Sequence, residues 1–241
     1  TLHASRFTFR IDFPFPLNIA CCMSFVLIFD LDGTLIDSKQ DIADSLNEAL
    51  IQEGLATLPQ KKIEELVGYG AKKFVYDALG RPSEEVLARV FLNFWKCYDD
   101  SLLKQTRLYP GVMDFLETHS HLPMAVVTNK PEIFSEKILV GLGIRDRFRW
   151  LIGGDSLPVQ KPDPQVLNPI FQEFGGTLQG LMVGDSHVDI ECGKAAGFKT
   201  CAVTYGFRSR EDLSKLTPDF LIDDFSALAE LPVFDNIYAA N

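Results

Sequence analysis

Phe25-Val26-Leu27-Ile28-Phe29-Asp30-Leu31-Asp32-Gly33-Thr34 passes from an unbroken apolar run straight into two aspartates, a glycine and a threonine. A short, partly β-branched apolar run of this kind reads as a parallel strand buried on both faces. Ligands of an open parallel sheet bind just beyond the C-terminal ends of its strands. Asp30 and Asp32 are therefore candidate site residues as soon as the strand is recognised. Working outward, five further runs fit the same template: Met124 to Thr128, Arg149 to Ile152 before Gly153-Gly154, Leu181 to Val183 before Gly184, Thr200 to Val203, and Phe220 to Ile222. Helical patterns separate most of them, at Val112 to His119, Ile133 to Leu142, Pro164 to Phe174 and Val188 to Ala196. Strands alternating with helices predict an α/β, Rossmann-like parallel sheet with helices on both faces.

One interval interrupts the alternation. Between the first two strands the chain is mostly helical. Ile42, Leu46, Ala49 and Leu50 share one helical face in Asp41 to Leu55, and Val86, Leu87, Val90, Phe91, Phe94 and Tyr98 share another from Glu84 onward. Ser83 is placed to cap the second helix, with Glu84 and Glu85 at its positive end. We expect an inserted helical cap domain at 38–107, over a core made of 23–37 and 108–235.

Four polar clusters stand at strand ends: Asp30-Leu-Asp32-Gly33-Thr34, Thr128-Asn129-Lys130, Lys161-Pro-Asp-Pro164, and Gly184-Asp185-Ser-His-Val-Asp189. Each alone has an ordinary explanation, as a turn, a helix cap or a surface lysine. In this topology all four converge at one edge. Two carboxylates about 4 Å apart repel by about 4 kcal/mol at an effective dielectric of about 20. Asp30, Asp32, Asp185 and Asp189 therefore require cations, and a hard divalent ion such as Mg²⁺, held by oxygens and completed by phosphate, answers that need. Lys161 adds a positive charge. A metal and a lysine facing an empty space form a receptacle for a phosphate dianion.

These four clusters, from Met23 to about Phe225, resemble the four motifs of the haloacid dehalogenase superfamily, and the helical insert resembles its cap. The resemblance implies Asp30 as a nucleophile that becomes phosphorylated and Asp32 as acid and then base. It further implies Mg²⁺ held by the Asp30 carboxylate, the Asp32 main-chain carbonyl and Asp185. Thr128 and Lys161 take the phosphoryl oxygens, Asp189 orients Lys161 or a metal-bound water, and Gly33, Thr34 and Asn129 support the site. Asp32 argues against dehalogenation and phosphonate hydrolysis, neither of which protonates an alkoxide. An intact Asp30 argues against a non-enzymatic binding protein, and the length argues against a P-type ATPase.

Within the superfamily, Val127-Thr-Asn-Lys-Pro131, Val203-Thr-Tyr-Gly-Phe207, Ser209-Arg-Glu-Asp212 and Val67-Gly-Tyr-Gly-Ala71 are similar to phosphoglycolate phosphatases. The implied substrate is a small phosphorylated metabolite, 2-phosphoglycolate first. Pyrophosphatases, nucleotidases, sugar-phosphate phosphatases and β-phosphoglucomutase-like phosphotransferases remain alternatives. Gly68 and Gly70 let the cap backbone approach a ligand. Lys72 and Lys73 follow as candidates for a substrate carboxylate, with Lys130 and Arg208 behind them. His187 reads as a rim residue.

The remaining features are exclusions. With 46% hydrophobic and 23% charged residues the chain can bury a core. A net charge of −10 repels nucleic acid and anionic membranes. Five cysteines without a CxxC, beside four histidines, suggest neither zinc nor a disulfide framework, so reduced thiols in a cytoplasmic enzyme are expected. Residues 1–22 have no clear period. Arg6 and Arg10 ahead of an apolar stretch suggest a signal peptide, but Asp12, Pro14 and Pro16 interrupt it. We expect Met23 to be the natural start and 1–22 to lie outside the fold. Monomer and homodimer are equally open.

Overall fold

The computed structural model describes residues 25–174 and 178–235, so the extension 1–22 lies outside the described residues. Six of the strands form one parallel sheet: β1 (Phe25–Phe29), β4 (Met124–Val127), β5 (Trp150–Ile152), β6 (Gln179–Gly184), β7 (Lys199–Val203) and β8 (Phe220–Ile222), in the order β5-β4-β1-β6-β7-β8. Strand β1 is central, with Leu27 paired to Met124 on one side and to Leu181 on the other. The order reverses beside β1, the kind of switch point at which open α/β sheets bind ligands.

Alternation along the strands builds two apolar layers. Val26, Ile28, Ala125, Val127 and Met182 pack against Val166, Leu167, Ile170 and Cys192. Leu27, Phe29, Val126, Leu181 and Val183 face the other way, onto α5 (Val112–Thr118) and α6 (Glu132–Gly141) through Val112, Phe115, Phe134 and Ile138. Each fully buried Val, Leu or Ile contributes about 1.5–3 kcal/mol. The sheet is thus held by its two covered faces more than by strand propensity.

The insert follows a short antiparallel ribbon, β2 (Ile36–Asp37) with β3 (Arg107–Leu108). Between them lie α1 (Lys39–Gln52), α2 (Gln60–Leu66), α3 (Ala71–Leu79) and α4 (Glu84–Asp99). Helix α1 buries Ile42, Leu46, Ala49 and Leu50 against Val90, Phe94 and Tyr98 of α4. The Ser83 hydroxyl accepts from the Val86 N–H and caps α4 as its sequence predicts. Two connections between ribbon and helices are tied together by Asp41. Its buried carboxylate accepts from the N–H groups of Gln105 and Thr106 and from the Thr106 hydroxyl, at 2.8–3.0 Å.

The structure differs from expectation in several places. The single helix expected over 164–174 is a 3₁₀ turn (Pro164–Leu167) followed by α7 (Asn168–Glu173), because Pro169 in the first turn of α7 has no N–H to continue a helix. Helix α2, helix α9 (Arg210–Lys215) and the β2–β3 ribbon carry too few apolar positions for a period to register, whereas α3 has a helical period, at Ala71, Phe74, Val75, Ala78 and Leu79, that the sequence reading passed over. Arg107, expected in the cap, pairs with Asp37 in the ribbon.

Candidate active site

Asp30 follows β1 and Lys161 lies in the loop after β5, while Asp185 follows β6 and Asp189 sits in the first turn of α8 (His187–Ala195). The Lys161 ammonium, 1% exposed, donates to Asp30 Oδ1 at 2.7 Å and to Asp189 Oδ1 at 2.6 Å. Both are charge-assisted bonds between buried groups, where such bonds are strongest. Asp189 Oδ2 is also occupied, by the Ser186 N–H and hydroxyl. Main-chain contact at Asp185 comes from the Phe207 N–H. Gly33 is in the left-handed region at φ +81°, and a Cβ there would run into the Asp185 carboxylate. The first and fourth clusters approach each other only because residue 33 has no side chain.

Asp30 and Asp189 share one ammonium, and carboxylate oxygens from these two and from the buried Asp185 lie within 4.8 Å of one another. Burial, only partly opposed by Lys161, pushes the Asp30 carboxyl up to about 6, with Asp189 and Asp32 adding to the rise. Burial also holds Asp185 well above the usual carboxylate range, with the charges of Asp30 and Asp189 contributing. For Lys161, burial works against the charged form, but Asp189 and Asp30 outweigh it and raise the ammonium above its ordinary value. The cluster is thus short of positive charge. Hard carboxylate oxygens without His or Cys suit Mg²⁺ rather than a soft metal. Asp30 and Asp185 fit as ligands. Asp189, with both oxygens committed to Lys161 and Ser186, belongs behind them.

Asp32 is held differently. Its side chain accepts from Ser38 Oγ at 2.6 Å and, through both oxygens, from Lys130 Nζ at 2.9 Å. The ammonium of Lys130 also donates to the Tyr98 hydroxyl. Only the main-chain carbonyl of Asp32 is therefore in question as a metal ligand, as the resemblance implied. Sequence reasoning placed Lys130 among the weaker candidates; its position directly after Thr128-Asn129 at a buried strand end was the available signal. Thr128 is buried beside Asp30 on the wall of one cavity. Thr34 presents a buried hydroxyl without a partner among the described residues.

That cavity has a volume of about 70 Å³. Asp30, Asp32, Thr128, Lys161 and Asp185 form its floor, and Ile42, Val67, Ala71, Phe74 and Phe94 form much of its roof. The roof is tied down by polar contacts between cap and core. Asn129 Nδ2 donates to the carbonyls of Gly68 and Lys161, at 2.8 and 2.9 Å. Arg208 donates to the carbonyls of Glu64 and Val67, which terminate α2. The Tyr69 hydroxyl and His187 Nε2 share a hydrogen bond, consistent with a rim position for His187. Gly68 and Gly70 line the cavity with φ of +135° and +84°.

Lys72 and Lys73 are the main correction. Both are exposed, and both line an outer groove rather than this cavity. Lys73 is paired with Asp77 one helical turn later and lies over the Tyr69 ring. The first turn of α3 points these side chains outward, so neither supplies a cation to the floor.

Comparison with known proteins agrees with this geometry. Residues 27–203 match the haloacid dehalogenase-like hydrolase family. A phosphoglycolate phosphatase of Pseudomonas putida is 38% identical over 84% of this chain and 78% of its own length. One from Psychrobacter arcticus is 37% identical over 85% of this chain and 94% of its own. The crystal structure of a predicted phosphoglycolate phosphatase from Haemophilus somnus 129pt superposes with a TM-score of 0.78 at 31% identity, covering 85% of this chain and 96% of that one. With a shared fold, four motifs gathered at one sheet edge and a family match across most of its length, this chain belongs to the haloacid dehalogenase-like hydrolases.

Proposed function

We propose that the protein is a Mg²⁺-dependent phosphatase that hydrolyses a small carboxylated phosphate monoester, 2-phosphoglycolate first, through a phosphoryl group carried on Asp30. The observation that carries this reading is the Lys161 ammonium strung between Asp30 and Asp189, with Asp185 in the lining of the same small cavity. We also propose 38–107 as the cap, with the ribbon at its C-terminal edge.

Asp30 attacks phosphorus in line; the ester P–O bond breaks, and Asp32 gives its proton to the departing alkoxide. Water then attacks the acyl phosphate with Asp32 as base, which releases phosphate and restores Asp30. Lys161 and Thr128 hold the phosphoryl oxygens, and Asp189 fixes Lys161. Asp30, Asp185 and the Asp32 carbonyl are the residues to hold Mg²⁺, which when bound supplies charge neutralisation for the nucleophile and the phosphoryl group.

Cavity size favours a small substrate. The cavity over Asp30, at about 70 Å³, is small. The roof argues against a sugar, since Ile42, Phe74 and Phe94 offer no partner to a ring of hydroxyls. Names of the relatives point the same way. The test is phosphate release from 2-phosphoglycolate, pyrophosphate, nucleotides, sugar phosphates and β-glucose 1-phosphate. Fastest release from 2-phosphoglycolate, lost with EDTA and restored by Mg²⁺, is expected. Undiminished turnover in excess EDTA, or conversion of β-glucose 1-phosphate to glucose 6-phosphate faster than phosphate appears, would overturn the proposal.

A further inference from the structure

We infer that Lys130 is the specificity-determining cation of this site, its ammonium bridging Asp32 to the carboxylate that an α-carboxylated phosphate ester carries two bonds from its leaving oxygen. The inference rests on the proposed substrate class and adds to it the residue that reads the carboxylate.

Among the described residues, the cations that reach the cavity are Lys161, Arg208 and Lys130. Lys161 is committed to the phosphate end by Asp30 and Asp189. Arg208 spends its guanidinium on the Glu64 and Val67 carbonyls, holding the end of α2 to the core. Lys130 is different in kind. Its ammonium is buried and its three N–H groups face Asp32 and the Tyr98 hydroxyl, all within the cavity wall.

Distance then ties Lys130 to the substrate. An acid that protonates the leaving oxygen must come within about 2.6–3.2 Å of it. Lys130 Nζ is 2.9 Å from each Asp32 oxygen. The ammonium consequently stands no more than about 6 Å from the leaving oxygen, and a carboxylate two bonds beyond that oxygen spans most of the gap. One N–H swings from Asp32 or Tyr98 to the incoming carboxylate, while another keeps Asp32 in place. Phe94 and Phe134 flank the same region and offer no competing donor. In that apolar surround the new charge pair is poorly screened and therefore selective.

A neutral analogue of the same shape isolates the effect. We would compare kcat/KM for 2-phosphoglycolate and for its carboxamide, 2-phosphoglycolamide, in the wild-type enzyme and in Lys130→Met and Lys130→Gln. The Gln variant keeps a donor to Asp32 and serves where the Met variant folds poorly. Wild type should prefer the acid, and both variants should reduce the acid-to-amide ratio about a hundredfold, roughly two decades of affinity. Arg208→Met should weaken both substrates together. If the wild type prefers the acid but the variants lose both substrates in equal proportion, Lys130 only positions Asp32 and the inference fails while the substrate class stands. A wild type that does not discriminate acid from amide overturns the substrate class and the inference with it.

Discussion

Replacing Asp30 with asparagine, and following the stability difference between the two proteins against pH, isolates the charge that the proposed nucleophile carries. Burial, against the pull of Lys161, raises the Asp30 carboxyl from 3.8 to about 6. That is about two units at about 1.4 kcal/mol each, or about 3 kcal/mol. The sign follows from proton linkage. Between about pH 4 and 6 the folded state keeps a proton that the unfolded chain has released, so stability falls as pH rises through that window. The asparagine side chain cannot titrate. In EDTA, wild type should therefore lose about 3 kcal/mol relative to Asp30→Asn between about pH 4 and 7, or roughly 6–12 °C in midpoint for a chain of this size. Asp185, also raised, and in part by the Asp30 charge, adds to the effect in the same direction. Urea melts at half-unit pH steps, with EDTA or with excess Mg²⁺, would measure it. Mg²⁺ should flatten the difference by neutralising the ionised pair, and should stabilise wild type more at about pH 7.5 than at about pH 5. A difference that stays level in EDTA refutes the claim that the cluster lacks positive charge. Equal stabilisation of both proteins by Mg²⁺ refutes Asp30 as a ligand.

Two further substitutions test single contacts. Asp41→Ala removes the acceptor of the Gln105 and Thr106 N–H groups and of the Thr106 hydroxyl, and should cost about 1–3 kcal/mol in urea melts, because the Thr106 donors stay buried while Gln105 is exposed. Gly33→Ala forces an L-residue to φ +81° and drives a methyl into the Asp185 carboxylate; the Mg²⁺ concentration for half-maximal activity should rise at least about tenfold, a shift of about 1.4 kcal/mol, and an unchanged Mg²⁺ requirement would show that Asp185 does not hold the metal.

The parallel sheet was legible because buried strands are written as uninterrupted apolar runs. Phe25 to Phe29 and Leu181 to Val183 have no polar residue to confuse the reading, and an aspartate at or just past the end of such a run is conspicuous. The gathering of Asp30, Thr128, Lys161 and Asp185 then follows from topology alone. Elements with little apolar content were hidden. Helix α2 buries only Ile63, too few to set a period, whereas α3 carries Ala71, Phe74, Val75, Ala78 and Leu79 on one face and was passed over although its period is present. Each strand of the ribbon is two residues long, and Ile36 finds Leu108 across the whole cap. The misjudged lysines had a local signal that pointed the other way: Asp77 stands four residues after Lys73, the spacing of a solvated helical pair.

Lys130 was placed behind Lys72 and Lys73, and the cause is physical. Its partner Asp32 is 98 residues away and its other partner, Tyr98, comes from the cap, so its place after Thr128-Asn129 could mark it but no local pattern could assign its partners. The same fact changes how specificity is divided in this fold. Every substrate of such an enzyme presents the same phosphate, so the residues that meet it are dictated by charge and can be read from strand ends. The leaving group varies, and the cap is the natural place to look for its recognition. Here, however, the cap supplies mainly apolar side chains and carbonyls that are pinned by Asn129 and Arg208. The buried cation bonded to Asp32 belongs to the core, two residues after Thr128, the proposed phosphate-binding threonine. On the proposed reading the cap limits the size of the substrate, while the sign of the charge it carries is judged by a core lysine in the loop that follows β4.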